Sequence, residues 1–286
     1  MDDTVYRLHL PEVITSCAVF NSPHSGRDYP ESLRASSRLS WLQLRSSEDA
    51  FVDDLFGAAP EFGAPLLAAR VPRACVDLNR AADELDPALI IGASRRTTSP
   101  RITAGLGVIP RVVAEGRVII EGKLSFAEAE ERLATYYRPY HDKLGQLLAG
   151  QRARFGQAIL IDCHSMPHDA VAAAPLIWGR PPNIVLGDRF GAACDRWLID
   201  AATDAFRDAG FTVARNAPFA GGYITQRYGR PRERIHALQI EIDRSLYMNE
   251  ARIEPNGDYD AVKGMIRQVI ATLSALGARP LSVAAE

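Results

Sequence analysis

The chain has 286 residues and a formal net charge of −2, and 47% of its residues are hydrophobic. These values are ordinary for a folded globular protein, so they exclude a disordered or fibrous chain. Since 33 basic residues are balanced by 35 acidic ones, we expect neither nucleic acid nor a membrane surface as a partner. Any recognition of an anion then depends on a few arginines in a pocket.

Targeting segments are not apparent. The first residues contain no basic segment followed by a long apolar one, and no run of about 18 apolar residues occurs. The four cysteines also lack the paired spacing of a zinc knuckle or a disulfide framework. We therefore expect a cytoplasmic protein in a reducing compartment.

The first predicted elements are a strand at 18–20 and a helix at 45–58. The strand leads into a turn-rich loop that contains His24. For the helix, Ser46 or Ser47 is a suitable N-cap, acidic residues fill the first turn, and an apolar stripe follows. The pattern thus places the acidic pair at 48 and 49 at the start of a helix.

Strands are next predicted at 65–69 and 74–78, and they precede a long segment without clear periodicity. This segment, residues 81–120, is rich in Gly, Pro, Arg and Thr. Because long stretches without regular elements are often functional loops, we expect it to border the substrate pocket.

The second half of the chain alternates helices and strands. Helices are predicted at 125–154 (with a kink at Pro139), 188–209 and 258–276, and strands at 158–167, 211–214 and 236–242. Such alternation predicts an α/β fold with a mixed, mostly parallel sheet and helices on both faces. No repeat, low-complexity tract or linker divides the chain, so we expect a single domain over residues 1–286.

Polar residues stand at the carboxyl ends of the predicted strands, where ligands bind in open α/β sheets. They are His24, Asp77, Asn79, Arg80, Asp162, His164 and Glu241. A carboxylate inside a buried strand, as at Glu241, is costly unless a metal, a cation or hydrogen bonds compensate it. Catalytic zinc takes about three His, Asp or Glu ligands and keeps one position open. His24 and His164 are therefore candidate ligands, and the pair Glu48-Asp49 offers the third.

Purely structural roles are the alternative for several of these residues. Each histidine alone is more often a core or loop residue, and only the two histidines together with the carboxylate at Glu241 indicate a site. Adjacent strand residues point to opposite faces, so Cys163 is interpreted as a core residue, whereas Asp162 shares a face with His164. Asp162 then either orients a metal ligand or caps a nearby loop. His141, on the long helix, faces either the site or the solvent.

Seven segments spread over most of the chain are more specific as a set. They are SPHSGRDYP at 22–30, EDAFVDDLF at 48–56, VDLNR at 76–80, YRPYH at 137–141, LIDCHSMP at 160–167, GGYITQRYG at 221–229 and LQIEIDRSLYM at 238–248. In this order they resemble the N-formylglutamate amidohydrolase (N-formylglutamate deformylase) family. The VDLNR segment and the D-x-H element at 162–164 are also similar to those of aspartoacylases and succinylglutamate desuccinylases.

The resemblance implies a zinc-carboxypeptidase-like (phosphorylase/hydrolase-like) three-layer α/β fold. It also implies hydrolysis of N-formyl-L-glutamate to formate and L-glutamate, a step of histidine degradation. One zinc ion would be bound by His24, Asp49 and His164. Carboxypeptidases carry H-x-x-E at the first ligand, but Arg27 stands at that position here. The family pattern has an Asp in the segment at 48–56, so the resemblance implies Asp49 as the carboxylate ligand, with Glu48 as the alternative.

The resemblance further implies roles around a small acidic N-acyl amino acid. Glu241 would transfer protons, and Asn79 and Arg80 would bind a carboxylate or carbonyl oxygen of the substrate. His141 is a further candidate for substrate binding. Tyr223 follows two glycines and is expected on a loop that closes over the substrate, with a packing role as the alternative. Competing functions are a related zinc N-acyl amino acid deacylase or carboxypeptidase-like hydrolase with another acidic substrate, and a non-catalytic binding protein.

Overall fold

A mixed, mostly parallel sheet lies at the centre of the computed structural model, which describes residues 5–94, 99–171, 174, 176, 177 and 179–277. Its strands are β1 (Tyr6–His9), β2 (Ala18–Ser22), β3 (Leu66–Ala69), β4 (Ala158–Met166), β5 (Ile184–Gly187), β6 (Val213–Arg215) and β7 (Ile235–Asp243). They lie in the order β1-β3-β2-β4-β7-β5-β6. Among these described strands, only the pairs β1-β3 and β5-β7 are antiparallel. The predicted sheet type is confirmed.

Helices connect and cover these strands. They are α1 (Glu31–Ser36), α2 (Trp41–Arg45), α3 (Val52–Leu55), α4 (Pro100–Thr103), α5 (Phe126–Arg132), α6 (Arg138–Phe155), α7 (His168–Val171), α8 (Arg196–Asp208), α9 (Tyr223–Tyr228) and α10 (Tyr259–Ala275). A two-stranded sheet of β8 (Met248–Asn249) and β9 (Glu254–Pro255) follows β7. None of the helices within the described ranges is long and apolar enough to cross a bilayer.

Two hydrophobic clusters cover opposite faces of the sheet. In β4, Ile159 and Ile161 belong to the cluster that contains α8 and α10, whereas Leu160 belongs to the cluster that contains α5 and α6. Since successive strand residues point to opposite faces, this division confirms helices on both sides. Asp162 and His164 share the face of Leu160. The four cysteines are buried and free, and Cys163 is a core residue as predicted.

The predicted helix at 125–154 is continuous but irregular. Between α5 and α6, residues Leu133–Tyr137 form a π-helical segment. Pro139 then occupies the first turn of α6, where proline is tolerated. The irregularity of this helix is therefore a π-helical segment directly before Pro139, and it does not end the helix.

The predicted helix at 45–58 is wrong over most of its length. Ser40 and Gln43 form a capping box that starts α2 earlier, at Trp41. The chain is then irregular until α3, and Phe51 adopts a left-handed conformation with φ of 67°. Within this loop the N–H of Asp49 donates to the carbonyl oxygen of His24 at 3.0 Å. A tertiary hydrogen bond therefore replaces the helical one at the acidic pair.

The predicted strand at 74–78 is also wrong. The N–H of Cys75 donates to the carbonyl oxygen of Pro72, and the N–H of Asp77 donates to that of Val108. The segment is therefore a buried turn, although its apolar residues pack in the core as those of a strand would. The predicted helix at 188–209 begins later, because residues 189–191 have positive φ values.

Candidate active site

A cavity of about 700 Å³ opens where the carboxyl ends of the parallel strands β2, β4 and β7 meet. This volume lies within the range of small-molecule sites. Six of the predicted site residues line it: His24, Asp49, Asn79, Arg80, His164 and Glu241. The 81–120 segment lines it too, with Arg101, Leu106 and residues 110 and 112–116, which confirms that this segment borders the pocket.

Three buried side chains converge at the base of the cavity. His24 follows β2, His164 lies on β4, and Asp49 lies on the loop before α3. The Oδ2 atom of Asp49 is 3.0 Å from Nδ1 of His164 and 3.5 Å from Nδ1 of His24. Nitrogen and oxygen atoms of the three residues lie within 4.8 Å of one another, as in a group that can hold a metal ion.

In both histidines, the ring nitrogen that does not face Asp49, Nε2, contacts a second carboxylate. Nε2 of His24 is 2.7 Å from Oδ1 of Asp77, and Nε2 of His164 is 3.0 Å from Oδ2 of Asp162. A proton on Nε2 of His24 leaves the lone pair of its Nδ1 directed to the centre, as metal-binding histidines require. Oδ2 of Asp162 makes no hydrogen bond within the described part of the chain, so its contact with His164 is one of charge. Nδ1 of His24 is buried and has no hydrogen-bond partner among the described residues. Because such orphaned nitrogens are rare, the donor set fits a metal ion.

The charge of this cluster favours a cation. Burial alone would raise the pKa of Asp49, but its contacts with His164 and His24 hold that pKa well below the usual range. Burial alone would lower the pKa of His164, but Asp162 and Asp49 raise it well above the usual range. The same negative surroundings that stabilise a proton on His164 stabilise a metal ion in its place.

The other carboxylate oxygen of Asp49 accepts a hydrogen bond from an arginine that follows β7. Nη2 of Arg244, which follows β7, donates to Oδ1 of Asp49 at 2.9 Å. The alternative ligand, Glu48, instead accepts hydrogen bonds from Nε and Nη2 of Arg45. Asp49, and not Glu48, therefore joins the two histidines.

Glu241 lies beside this group on the neighbouring strand. In the pairing of β4 with β7 it is opposite His164, so both side chains share one face. Its Oε1 atom accepts a hydrogen bond from Nε2 of Gln239 at 2.9 Å. Burial raises the pKa of Glu241 to about 7. A carboxyl group with such a pKa can accept and donate a proton near neutral pH.

Asn79 and Arg80 form one wall. Oδ1 of Asn79 accepts from the N–H of Ile224 at 2.7 Å, and its Nδ2 is 3.3 Å from Nε2 of His164. Nε of Arg80 donates to the carbonyl oxygen of Leu106 at 3.0 Å, and Nη1 donates to that of Asn79 at 2.8 Å. The buried guanidinium is thus held in one orientation beside the cavity.

Comparison with known proteins agrees with a hydrolytic site of this kind. Residues 16–248 match the family described as N-formylglutamate amidohydrolase. An N-formylglutamate deformylase from Pseudomonas aeruginosa is 35% identical over 270 residues, which cover 91% of this chain and 93% of that protein. The chain belongs to the N-formylglutamate amidohydrolase family.

Two further relatives agree. An N-formylglutamate deformylase from Pseudomonas putida is 32% identical over 239 residues, covering 81% of this chain and 82% of that protein. The crystal structure of an N-formylglutamate amidohydrolase from Ralstonia eutropha JMP134 matches with a TM-score of 0.87 and 36% identity, covering 94% of this chain and 97% of that one. The fold of the amidohydrolase family therefore extends over nearly the whole chain.

The structure of this amidohydrolase-family chain does not bring His141 or Tyr223 to the cavity lining. Nδ1 of His141 is 2.9 Å from the hydroxyl of Tyr228, and Nε2 is 3.0 Å from the carbonyl oxygen of Leu78. Burial lowers the pKa of His141 to about 3, so its ring is neutral. Tyr223 begins α9 instead of lying on a loop, and its hydroxyl accepts from Arg227. The two side chains pack against each other, and neither lines the cavity.

Several residues to which the sequence assigned no role in the site also line the cavity, among them Arg73, Gln239 and Arg244. Gln239 precedes Glu241 by two positions, and the alternation of a strand places both on one face. Arg244 directly follows a strand that contains a buried carboxylate. The strand pattern could have indicated these two positions, whereas no pattern indicates Arg73.

Proposed function

We propose that the chain hydrolyses the N-formyl amide of N-formyl-L-glutamate to formate and L-glutamate. One observation carries the proposal: His24, Asp49 and His164 converge beside Glu241 in a cavity that Arg80 also lines. The names of the relatives that match 81% and 91% of the chain support this substrate. The proposal includes one catalytic domain over residues 1–286.

The proposed cofactor is one zinc ion, held by His24, Asp49 and His164. Two imidazole nitrogens and one carboxylate oxygen form a donor set that suits zinc and leaves room for a further ligand. When bound, zinc supplies Lewis-acid chemistry, since it polarises a carbonyl group and makes water more acidic. Asp77 keeps the ring of His24 in the orientation that this requires, and Asp162 adds a negative charge 3.0 Å from Nε2 of His164.

Glu241 is the proposed proton carrier. Its carboxylate takes a proton from the water that adds to the formyl carbon. It then gives this proton to the amide nitrogen while the carbon–nitrogen bond breaks. The remaining proton of the water passes from the formic acid to the amine, so that formate and protonated L-glutamate leave. Its pKa of about 7 suits both transfers near neutral pH. The hydrogen bond from Gln239 fixes the orientation of the carboxyl group.

Arg80 and Asn79 are the proposed contacts to substrate oxygens. Arg80 presents a guanidinium whose Nε and Nη1 are already bound to backbone carbonyls, so little side-chain freedom is lost when a carboxylate binds. Asn79 lies between Arg80 and His164, within reach of a carbonyl or carboxylate oxygen near the reacting carbon. Together they would orient an acidic substrate.

The acyl group is tested by comparing L-glutamate carrying N-formyl, N-acetyl and N-succinyl groups. We expect the highest kcat/KM for the formyl compound, measured by formate release for that substrate and by glutamate release for all three. A higher kcat/KM for the acetyl or succinyl compound would replace this proposal by a related deacylase with another acidic substrate.

A further inference from the structure

Among the described residues, four arginines line the cavity, and three of them lie close to a carboxylate of the protein whereas the fourth does not. Arg73 donates to Asp77 at 3.0 Å, Arg244 donates to Asp49 at 2.9 Å, and Arg80 has its Nη2 atom 3.7 Å from Asp77. The fourth, Arg101, is exposed, and no side-chain hydrogen bond or ion pair to it occurs within the described part of the chain.

The backbone fixes Arg101 relative to Arg80. Arg101 lies in α4, whose N-cap Ser99 accepts a hydrogen bond from the N–H of Ile102. The N–H of Leu106 donates to the carbonyl oxygen of Arg101 at 2.8 Å, and the carbonyl oxygen of Leu106 accepts from Nε of Arg80 at 3.0 Å. One residue therefore bridges the two arginines, and both side chains line the same cavity.

The two charges affect each other. Burial lowers the pKa of Arg80, the carboxylate of Asp77 opposes this, and the positive charges of Arg73 and Arg101 lower the pKa further. The acidic residue nearest in sequence that lines this part of the cavity, Glu115, is paired with Arg117. Like charges that face one cavity repel unless an anion lies between them, so this arrangement fits a ligand with more than one negative charge.

We propose that Arg101 binds the side-chain carboxylate of the substrate and thereby selects dicarboxylic N-formyl amino acids. This inference rests on the proposed function. The α-carboxylate of the substrate is close to the reacting amide. It is therefore bound by the buried Arg80, which lies beside Asn79 and the metal-binding group. The side-chain carboxylate extends away from the reacting carbon and reaches the exposed Arg101.

The test compares N-formyl-L-glutamate with N-formyl-L-glutamine, which has nearly the same shape but a neutral side chain. The variant Arg101→Gln removes the charge and keeps much of the side chain. We expect it to lower the ratio of kcat/KM for the glutamate compound to that for the glutamine compound by roughly ten- to a hundredfold, as for the loss of a charge-assisted hydrogen bond. Arg101→Lys should retain part of this ratio.

A control variant is Arg38→Gln, which removes another exposed positive charge, outside the cavity lining. It should leave the ratio at the wild-type value. A ratio that stays unchanged in Arg101→Gln would overturn the role of Arg101, while formate release by the wild type would still uphold the proposed function. Absence of formate release by the wild type would overturn both.

Discussion

Nε2 of His24 lies 2.7 Å from Oδ1 of Asp77, and both side chains are buried. Asp77 is itself held by Nε of Arg73 at 3.0 Å and by the N–H of Asn79 at 2.9 Å. A carboxylate bound from three sides has little freedom, so it fixes the orientation of the imidazole ring. Nδ1 of His24 therefore faces Asp49.

Replacement of Asp77 should weaken metal binding. Asp77→Asn removes a negative charge near the cation and weakens the hydrogen bond that orients His24, so zinc affinity should fall about ten- to a hundredfold. Competition with a chromophoric chelator measures this affinity. Asp86→Asn is a matched control, because Asp86 is also buried and paired with an arginine but lies outside the cavity lining. Equal affinity of the Asp77 variant and the wild type would contradict the role of Asp77.

Glu241→Gln should separate catalysis from metal binding. The amide cannot carry the proton, so kcat should fall by about 10²–10⁴-fold, while the zinc content stays at the wild-type level. Steady-state formate release and elemental analysis of the same preparation give both values. Glu254→Gln, an exposed position on β9, provides the control. Wild-type turnover in the Glu241 variant would show that another group transfers the proton.

Two histidine variants should have opposite effects. His164→Ala removes a proposed ligand, so it should lower the zinc content. His141→Ala should preserve the zinc content, but it leaves the hydroxyl of Tyr228 and the carbonyl oxygen of Leu78 without a bond to the ring. The free energy of unfolding should therefore fall by about 1–3 kcal/mol, measured by urea denaturation. Loss of zinc in the His141 variant would show that His141 contributes to the metal site.

Gly222→Ala tests the contact between α9 and Asn79. A Cβ atom at Gly222 would lie 2.4 Å from Nδ2 of Asn79, so Asn79 would have to move. Because Asn79 contacts His164, we expect kcat/KM to fall about ten- to a hundredfold. Gly145→Ala is the control, since no atom lies within 4 Å of the added carbon. In the middle of α6 that control should raise stability by about 1 kcal/mol. Unchanged kcat/KM in the Gly222 variant would show that Asn79 is not needed in its present position.

The sequence predicted the centre of the sheet well for a physical reason. Both β4 and β7 are nine-residue strands in which apolar residues are interrupted mainly toward the carboxyl end, at Asp162, His164 and Glu241. A buried strand tolerates such residues only where they have partners, so the pattern marks a site as well as a strand. The regularity of a strand then fixes which of these side chains share a face.

The remaining elements depend on contacts that a local pattern does not contain. The short strands β1 and β5, of four residues each, were not predicted. Asp49 reaches the histidines because a hydrogen bond to His24 holds a loop where the local pattern favours a helix. Arg101 lies in a segment without periodicity, and only its position beside Arg80 indicates a function.

The central claim is a metal-dependent hydrolysis at His24, Asp49 and His164. The most direct test measures zinc content by elemental analysis together with formate release from N-formyl-L-glutamate, before and after chelation and after zinc is added back. We predict one zinc ion per chain, with formate release lost on chelation and restored by zinc. Formate release that persists in the chelated, metal-free protein would contradict the account.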